Sequence, residues 1–349
     1  MRRAVARWLL PLWIIWVPVS GWAEIVRDLY ASQVPVANQS PQALAKAASE
    51  ALAEVLVKVS GSVDVLKNPA IAAELPKART HVLKYAYARE EGDQQQLTAR
   101  FEFDDSYVTR LVTGAGAPLW TANRPLVLAW LVVEDASGRH FVNWESAPEL
   151  SARLLAEFSR RGVPVQLPLF DLTDAAAIST GQAWQLSGPA LQSASGRYDV
   201  QAFLAGRLVM LSTGKSTGDW SYFANGDRID RSVSAANAED FVRAGVAIVA
   251  EDMAARYAIA PSGGAHGGVT MLVTGVNDYA AYANIVSWLE GLELIESANV
   301  ERVGADQLAL RLHAQADASR LAPVIELNKR LQPVAPPSPE VRLSYEWLR

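Results

Sequence analysis

The run Gly214-Lys215-Ser216-Thr217-Gly218 comes nearest in residue type and spacing to a catalytic motif. It matches G-x-S-x-G, in which a sharp strand-to-helix turn exposes a serine nucleophile. A β-like stretch with Trp220, Tyr222 and Phe223 follows, so the helix that the motif requires is missing. His266 lies in a Gly-rich linker and His313 near the chain's end, and neither is a convincing base. The pattern therefore favours a β-hairpin tip over an esterase.

Phosphate binding and metal binding are disfavoured by the same kind of spacing test. A phosphate loop ending at Gly214-Lys215-Ser216 would need glycine at position 209, where the chain has Val209. The four histidines lack H-x-x-x-H and H-E-x-x-H spacing, and cysteine is absent, which excludes thiolate ligands, disulfides and cysteine nucleophiles. The sequence thus predicts no catalytic residue, no metal ligand, no cofactor-binding residue and no cofactor.

Two smaller groups of reactive side chains have plainer structural explanations. Asp104 and Asp105 could form a carboxylate cluster with Glu102, but acids in this position are typical of a helix N-terminus. Lys58 and Ser60 are two residues apart near a predicted helix end, so they do not share a helical face. This spacing disfavours a Ser–Lys dyad.

Aromatic residues beside predicted turns are the one positive indication of a binding surface. Each of them, taken singly, is more typical of a core, but Trp and Tyr are also favoured interface anchors and arginine often accompanies them. The candidate interface residues are Trp120, Arg124, Trp144, Trp220 and Tyr222. Trp184 and Arg139 lie in the same kind of sequence context.

The first 23 residues have the composition of a secretory signal peptide. Arg2, Arg3 and Arg7 precede the apolar run Trp8 to Val19, and small residues precede a cleavage site after Ala23. An uncleaved membrane anchor is the alternative, but the run is shorter than a spanning helix and contains two prolines. Cleavage would remove three arginines and no acid, changing the net charge from −5 to −8. With no basic block elsewhere, nucleic-acid binding is disfavoured. We expect a periplasmic protein without a membrane span after cleavage.

The elements that would position these residues predict an α+β fold of three small mixed domains. Helical periodicity from Leu44 to Val59 and strands on either side give the first domain the order β-α-β-β-α, as in ferredoxin-like folds, and the last domain repeats it. The middle domain mixes a sheet with helices. The predicted segments are a signal peptide (1–23), an N-terminal domain (24–118), a middle domain (124–260), a Gly-rich linker (261–268), a C-terminal domain (269–332) and a Pro-rich tail (333–349).

Three segments of the first domain carry a resemblance to a known family. They are the runs Leu29 to Val36, Val55 to Gly61 and Tyr85 to Tyr87, and the pattern extends through Pro125 to Trp130 as far as the long predicted helix that ends at Tyr257. These segments resemble the gammaproteobacterial secreted proteins grouped as DUF2066, a domain of unknown function. The resemblance implies a Gram-negative cell-envelope protein, uncharacterized in activity, and it implies no catalytic residues.

The leading hypothesis is a noncatalytic periplasmic adaptor or regulator that acts through protein–protein interaction with another envelope protein, whose identity is unknown. It rests on the lack of site chemistry in a multidomain α+β frame. Whether the protein is an enzyme stays open. One alternative is a periplasmic hydrolase or carbohydrate-acting enzyme whose carboxylates come from distant positions and meet in a cleft. The other is a glycan-binding or peptidoglycan-binding module, for which the aromatic residues would form the binding surface.

Overall fold

The computed structural model describes residues 24–26, 28–89, 97–260, 268–304, 306–314 and 316–348. The predicted signal peptide (1–23) and residues 261–267 of the predicted linker lie outside this part of the chain. The described residues form a mixed α+β protein with sheets of three, six and five strands, which confirms the predicted fold class. Within the same ranges, no helix combines the length and the apolar character needed to cross a membrane.

The N-terminal unit packs one long helix against a three-stranded antiparallel sheet of order β2-β4-β3. Its elements are β1 (Glu24–Ile25), β2 (Ala31–Pro35), α1 (Pro41–Ser60), α2 (Pro69–Glu74), β3 (Val82–Arg89), β4 (Leu97–Phe103) and α3 (Asp105–Gly114), with 3-10 helices at Val63–Lys67 and Leu75–His81. Helix α1 begins after Ser40, whose side chain accepts a hydrogen bond from the Ala43 N–H, and ends at Gly61 in the left-handed region. Asp104 caps α3 in the same way, through the Tyr107 N–H, as the acidic pair predicted.

The middle unit is a six-stranded sheet with helices on both faces. Its elements are β5 (Asn123–Arg124), β6 (Val127–Asp135), β7 (Gly138–Phe141), α4 (Pro148–Arg161), β8 (Val165–Gln166), α5 (Leu172–Ala177), α6 (Thr180–Trp184), α7 (Gly188–Ser195), a 3-10 helix (Gly196–Tyr198), β9 (Ala202–Met210), β10 (Ser216–Ala224), β11 (Asp227–Ala235) and α8 (Ala238–Tyr257). The sheet order is β11-β10-β9-β6-β7, with β8 also on β6. Helices α4 and α8 cover one face, and α5 to α7 cover part of the other. The apolar run in β6 is therefore buried on both sides, as its composition predicts.

The C-terminal unit is a five-stranded sheet of order β13-β14-β12-β16-β15. Its elements are β12 (Val269–Thr274), α9 (Tyr279–Glu290), β13 (Ile295–Val303), β14 (Gln307–Ala314), α10 (Ala318–Glu326), β15 (Leu331–Pro333) and β16 (Leu343–Trp347). Strand β16 pairs in parallel with β12 and buries Tyr345 and Trp347, so residues after 332 complete this sheet. Helix α9 joins β12 to β13, and β14 lies between these two strands and antiparallel to both, which is the split β-α-β arrangement of ferredoxin-like folds.

Candidate functional site

Four of the five predicted interface residues are buried, so the interface assignment is wrong for them. Trp120 and Arg124 are fully buried where the three units meet, and Trp220 and Tyr222 lie on the inner face of β10. Only Trp144 is exposed, with 58% of its surface accessible. It stands in the loop before α4, and no other predicted interface residue joins it on the surface.

The burial of Trp220 and Tyr222 follows from strand alternation. In β10 these aromatic residues face α8, whereas the alternate residues Asp219 and Ser221 face the opposite side of the sheet. The Trp220 indole donates a hydrogen bond to the Phe241 carbonyl at 3.0 Å. Glycines at 206 and 245 leave the space for this ring, because a Cβ at either position would come within 2.5 Å of it. The period of two was a signal for this burial.

Arg124 acts as an internal connector between the N-terminal and middle units. Its guanidinium donates five hydrogen bonds to backbone carbonyls, those of Lys58 (2.8 Å), Trp120 (2.8 Å), Thr121 (2.8 Å), Arg161 (3.4 Å) and Gly162 (2.7 Å). It also lies 3.7 Å from the Trp120 ring centroid. One of these acceptors, Lys58, lies at the end of α1 and two, Arg161 and Gly162, lie at the end of α4, so one cation meets the negative ends of two helix dipoles. Burial lowers the pKa of Arg124 to about 9, at which the group is still charged at neutral pH.

The C-terminal unit attaches to the same connecting segment. The Ala122 N–H donates to a Glu293 carboxylate oxygen at 3.1 Å, and the Asn123 side chain donates to the Val324 carbonyl at 3.4 Å. Residues 119 and 259 form an isolated antiparallel bridge. Residues 119–124 thus contact all three units, which makes the segment a structural junction.

Ser216, the serine of the G-x-S-x-G match, is the first residue of β10 and is buried. It pairs with Met210 on β9 and with Ala235 on β11, and Gly214 turns the chain before it with a φ of 82°. This is the hairpin that the flanking pattern predicts. No helix follows the serine, so the geometry of a nucleophile elbow is not formed.

A cleft of about 570 Å³ separates β2 and α1 from helices α4 and α8. Lys58 lies at its inner end and donates from Nζ to the Asp28 and Ala31 carbonyls at 3.1 and 2.8 Å. Burial lowers the pKa of this amine to about 8. The sequence analysis disfavoured Ser60 as a partner of Lys58, and in the structure the serine that lines the cleft with Lys58 is Ser32, which donates to Glu54. The sequence signal that could have indicated this buried amine is a lysine within the apolar stretch Val55 to Val59.

The charged side chains of this cleft are matched in pairs. Asp28 accepts from Arg100 at 2.6 Å, Glu157 accepts two hydrogen bonds from Arg160, and Glu239 pairs with Arg153 and Arg243. Glu54 is occupied by the Ser32 hydroxyl. Among the described residues, no group of three or more acidic or histidine side chains could hold a metal ion. The arrangement resembles an ion-pair network and does not itself favour acid–base chemistry.

The outer edge of β3 is the most open backbone surface of the N-terminal unit. The hydrogen bond from Phe103 N–H to the Tyr30 carbonyl, with the β2–β4 register, directs the backbone groups of odd-numbered β4 residues toward β2. Even-numbered β4 residues therefore bond to even-numbered β3 residues. The N–H and C=O groups of Tyr85, Tyr87 and Arg89 consequently point away from the sheet. No described strand pairs with this edge.

Apolar and basic side chains accompany this edge. Leu83 is 70% exposed and Tyr85 50% exposed, although the Tyr85 ring stacks on Phe101 with 6.2 Å between centroids. Residues 75–89 contain two lysines and two arginines and no acidic residue, in a chain whose net charge is −5. Lys84 bridges to Glu102 at 3.7 Å. We call β3 with Leu83 and Tyr85 the β3 edge surface. Sequence reasoning missed it, although the acid-free run was visible.

Comparison with known proteins corrects the family resemblance. A family model described as a domain of unknown function, DUF8605, matches residues 23–121. The three runs that suggested DUF2066 all lie inside this match, so that assignment is wrong. They correspond to β2, the end of α1 and part of β3. The match ends near the junction and covers less than a third of the chain.

The other comparisons add no functional information. No curated protein matches the chain. A solved structure titled "Crystal structure of uncharacterized protein" aligns with 38% of this chain and 90% of its own length, at 12% sequence identity and a TM-score of 0.18. A TM-score this low carries no argument about fold or function.

Proposed function

We propose that the protein is a noncatalytic periplasmic adaptor or regulator that binds another envelope protein through the β3 edge surface. The observation that carries this proposal is the unpaired edge of an eight-residue strand flanked by exposed Leu83 and Tyr85. Proteins usually protect such edges, because unpaired backbone groups recruit another strand. Edge β2 of the same sheet is protected, since Lys58 occupies the Ala31 carbonyl and Pro35 has no N–H.

The occupant proposed for this edge is an extended segment of the partner that carries acidic residues. Strand addition supplies main-chain hydrogen bonds, while Leu83 and Tyr85 provide apolar contacts on one face. The basic residues of 75–89 favour acids in the added strand. A second copy of this chain fits less well, because two β3 strands would bring Lys84 and Arg89 of both copies together without a carboxylate in either strand.

Site-specific crosslinking tests the proposal in intact cells. A photoreactive phenylalanine analogue at position 85 is expected to form an adduct with a single envelope protein, within an acidic segment identified by mass spectrometry. The matched control places the same group at Trp144, which is equally exposed but distant in sequence and unit. Equal adducts from both positions, no adduct from position 85, or an adduct with a second copy of this chain would each reject the proposal.

Two variants at one position then separate ring contact from strand addition. Tyr85→Ala removes the ring and keeps the edge N–H, whereas Tyr85→Pro removes the N–H as well without breaking the β4 ladder. For a synthetic peptide of the crosslinked segment, we expect the proline variant to bind about fivefold more weakly than the alanine variant, because one net hydrogen bond contributes about 1 kcal/mol. Equal affinities would mean that the peptide does not add as a strand.

The location proposed for this adaptor depends on residues 1–23 being a cleaved signal peptide. The mature protein should begin at Glu24 and be released by osmotic shock. N-terminal sequencing of the released protein is the measurement. Recovery of Met1 in washed membranes would contradict a soluble periplasmic form while leaving the β3 test intact.

A further inference from the structure

The second side of the middle sheet is only partly covered by helices. Helices α5 to α7 pack around Trp130 and Phe203 and leave the β9-β10-β11 end open. A cavity of about 520 Å³ lies there, and a second of about 230 Å³ adjoins it through Arg207, Asp219 and Ser232, which line both. We call this continuous depression the outer-face groove. Its volume lies in the range of ligand-binding clefts.

Cross-strand rows of polar side chains form the floor of the outer-face groove. In the central row, Arg207, Asp219 and Ser232 stand side by side on β9, β10 and β11. Arg207 Nε donates to Asp219 Oδ2 at 2.7 Å, and the Ser232 hydroxyl donates to Asp219 Oδ1. Thr217 and Ser234 form the next row and add two exposed hydroxyls. These groups present donors and acceptors within one flat surface.

The row on the other side repeats the same chemistry. Ser221 on β10 pairs with Asp230 on β11, and its hydroxyl donates to that carboxylate. Arg228 donates to Asp230 at 2.8 Å and to the Ser221 oxygen at 3.1 Å. Each of these two neighbouring groups therefore holds one guanidinium, one carboxylate and one hydroxyl, although Arg228 reaches in from the next row, where it pairs with Phe223.

Charge in the outer-face groove is balanced, which favours a neutral ligand. The hydrogen bond from Ser232, with Arg207 beside it, holds the pKa of Asp219 below its usual range, so that carboxylate is ionised at neutral pH. Asp219 is matched by Arg207 and Asp230 by Arg228, and Arg231, which also lines the groove, pairs with Glu251 at 3.4 Å. A phosphate or nucleic acid would need an excess of cations. Val209 and Val233 also line the larger cavity and place apolar surface beside the polar rows.

An aromatic wall completes the groove. Trp184, at the end of α6, lines it and is half-buried, and the Arg139 guanidinium lies 4.3 Å from the indole centroid. An indole offers a flat, weakly negative surface to C–H groups that carry partial positive charge. Sugar rings have such C–H faces together with hydroxyls that both donate and accept. We propose that the outer-face groove binds a neutral saccharide chain, with Trp184 against a sugar ring and the rows of Asp219 and Asp230 bonded to its hydroxyls.

Titration with soluble oligosaccharides tests this site in the full mature chain. Chitotetraose and cellotetraose are the probes, and isothermal calorimetry measures their dissociation constants. We expect binding of at least one of them, and about fivefold weaker binding after Trp184→Ala, because an aromatic contact contributes on the order of 1 kcal/mol. Trp144→Ala, which removes an exposed tryptophan outside the groove, should leave the dissociation constant unchanged.

Ser232→Tyr keeps the test decisive if Trp184→Ala disturbs the fold. Position 232 is exposed on edge strand β11, where a tyrosine fits a strand and fills the groove without removing a core contact. It should abolish saccharide binding while the urea midpoint stays that of the wild type. If the wild type shows no binding at oligosaccharide concentrations up to about 10 mM, any affinity is too weak to matter and the proposal is overturned. Wild-type affinity in both groove variants would overturn it as well.

The source of the saccharide is distinguished by a separate arm of the experiment. Co-sedimentation with purified peptidoglycan sacculi should be lost in Ser232→Tyr if the ligand is the cell-wall glycan. Binding of both soluble probes without co-sedimentation would indicate another neutral glycan. The outer-face groove and the β3 edge surface lie in different units, so failure at one site leaves the other testable.

Discussion

Replacing Arg124 with alanine should destabilise the protein by about 3 to 5 kcal/mol. The variant loses five hydrogen bonds and a cation–π contact at 3.7 Å and leaves buried carbonyls at the ends of two helices without donors. Hydrogen bonds to a charged group contribute about 1.5 to 3 kcal/mol each, but burying the guanidinium costs several kcal/mol. The difference between these opposing contributions leaves a net loss of about 3 to 5 kcal/mol, which arises mainly from buried carbonyls left without donors.

Urea unfolding followed by tryptophan fluorescence and by circular dichroism would measure this loss. Because Arg124 joins two units, we expect the variant to unfold in separate transitions where the wild type unfolds in one. Arg124→Lys should recover only part of the stability, since an ammonium with three donors cannot reach α1 and α4 together. In the alanine variant, the midpoint of the first transition then measures the stability of the less stable unit after it is uncoupled from the other.

Arg153→Ala is the matched control for this experiment. Arg153 is half exposed and makes one ion pair with Glu239 at 3.4 Å, so its loss should cost less than about 1 kcal/mol. If Arg124→Ala were no more destabilising than Arg153→Ala, or if both probes still showed a single wild-type transition, the junction would not depend on the guanidinium.

Three further changes test other parts of the structure. Between about pH 8 and 10.5 the unfolding free energy of the wild type should rise by about 3 kcal/mol relative to that of Lys58→Met. Burial lowers the pKa of Lys58 from 10.5 to about 8, so in this pH range the unfolded chain binds more protons than the folded one and stability increases with pH. A difference in urea midpoint that stays constant with pH would contradict this. Gly61→Ala should lower the free energy of unfolding by at least about 2 kcal/mol more than Gly214→Ala. Both glycines have positive φ, but only a Cβ at position 61 would come within 2.3 Å of the Ala254 side chain. Equal decreases in thermal stability for the two variants would refute the packing argument. Deleting residues 333–349 should lower stability by at least about 4 kcal/mol, because it removes β16 and two buried aromatic rings, and an unchanged melting temperature would show that the strand is dispensable.

Local features of the chain were readable from the amino-acid sequence. The hairpin around residues 214–218, the caps at Ser40 and Asp104 and the order β-α-β-β-α in the last unit all depend on contacts within a few residues. Periodicity, capping side chains and glycines report such contacts directly. The same local signals predicted the mixed α+β class, because they identify each element and the order in which elements occur.

Exposure and site geometry were decided only by the tertiary structure. Arg124 is buried because its acceptors come from positions 58 and 162, and no pattern near residue 124 records them. The free edge of β3 depends on β4 lying between β2 and β3, and the outer-face groove depends on where α5 to α7 stop covering the sheet. The burial of a side chain depends on which distant segments pack against it. A sequence pattern shows only on which face of a helix or strand that side chain lies.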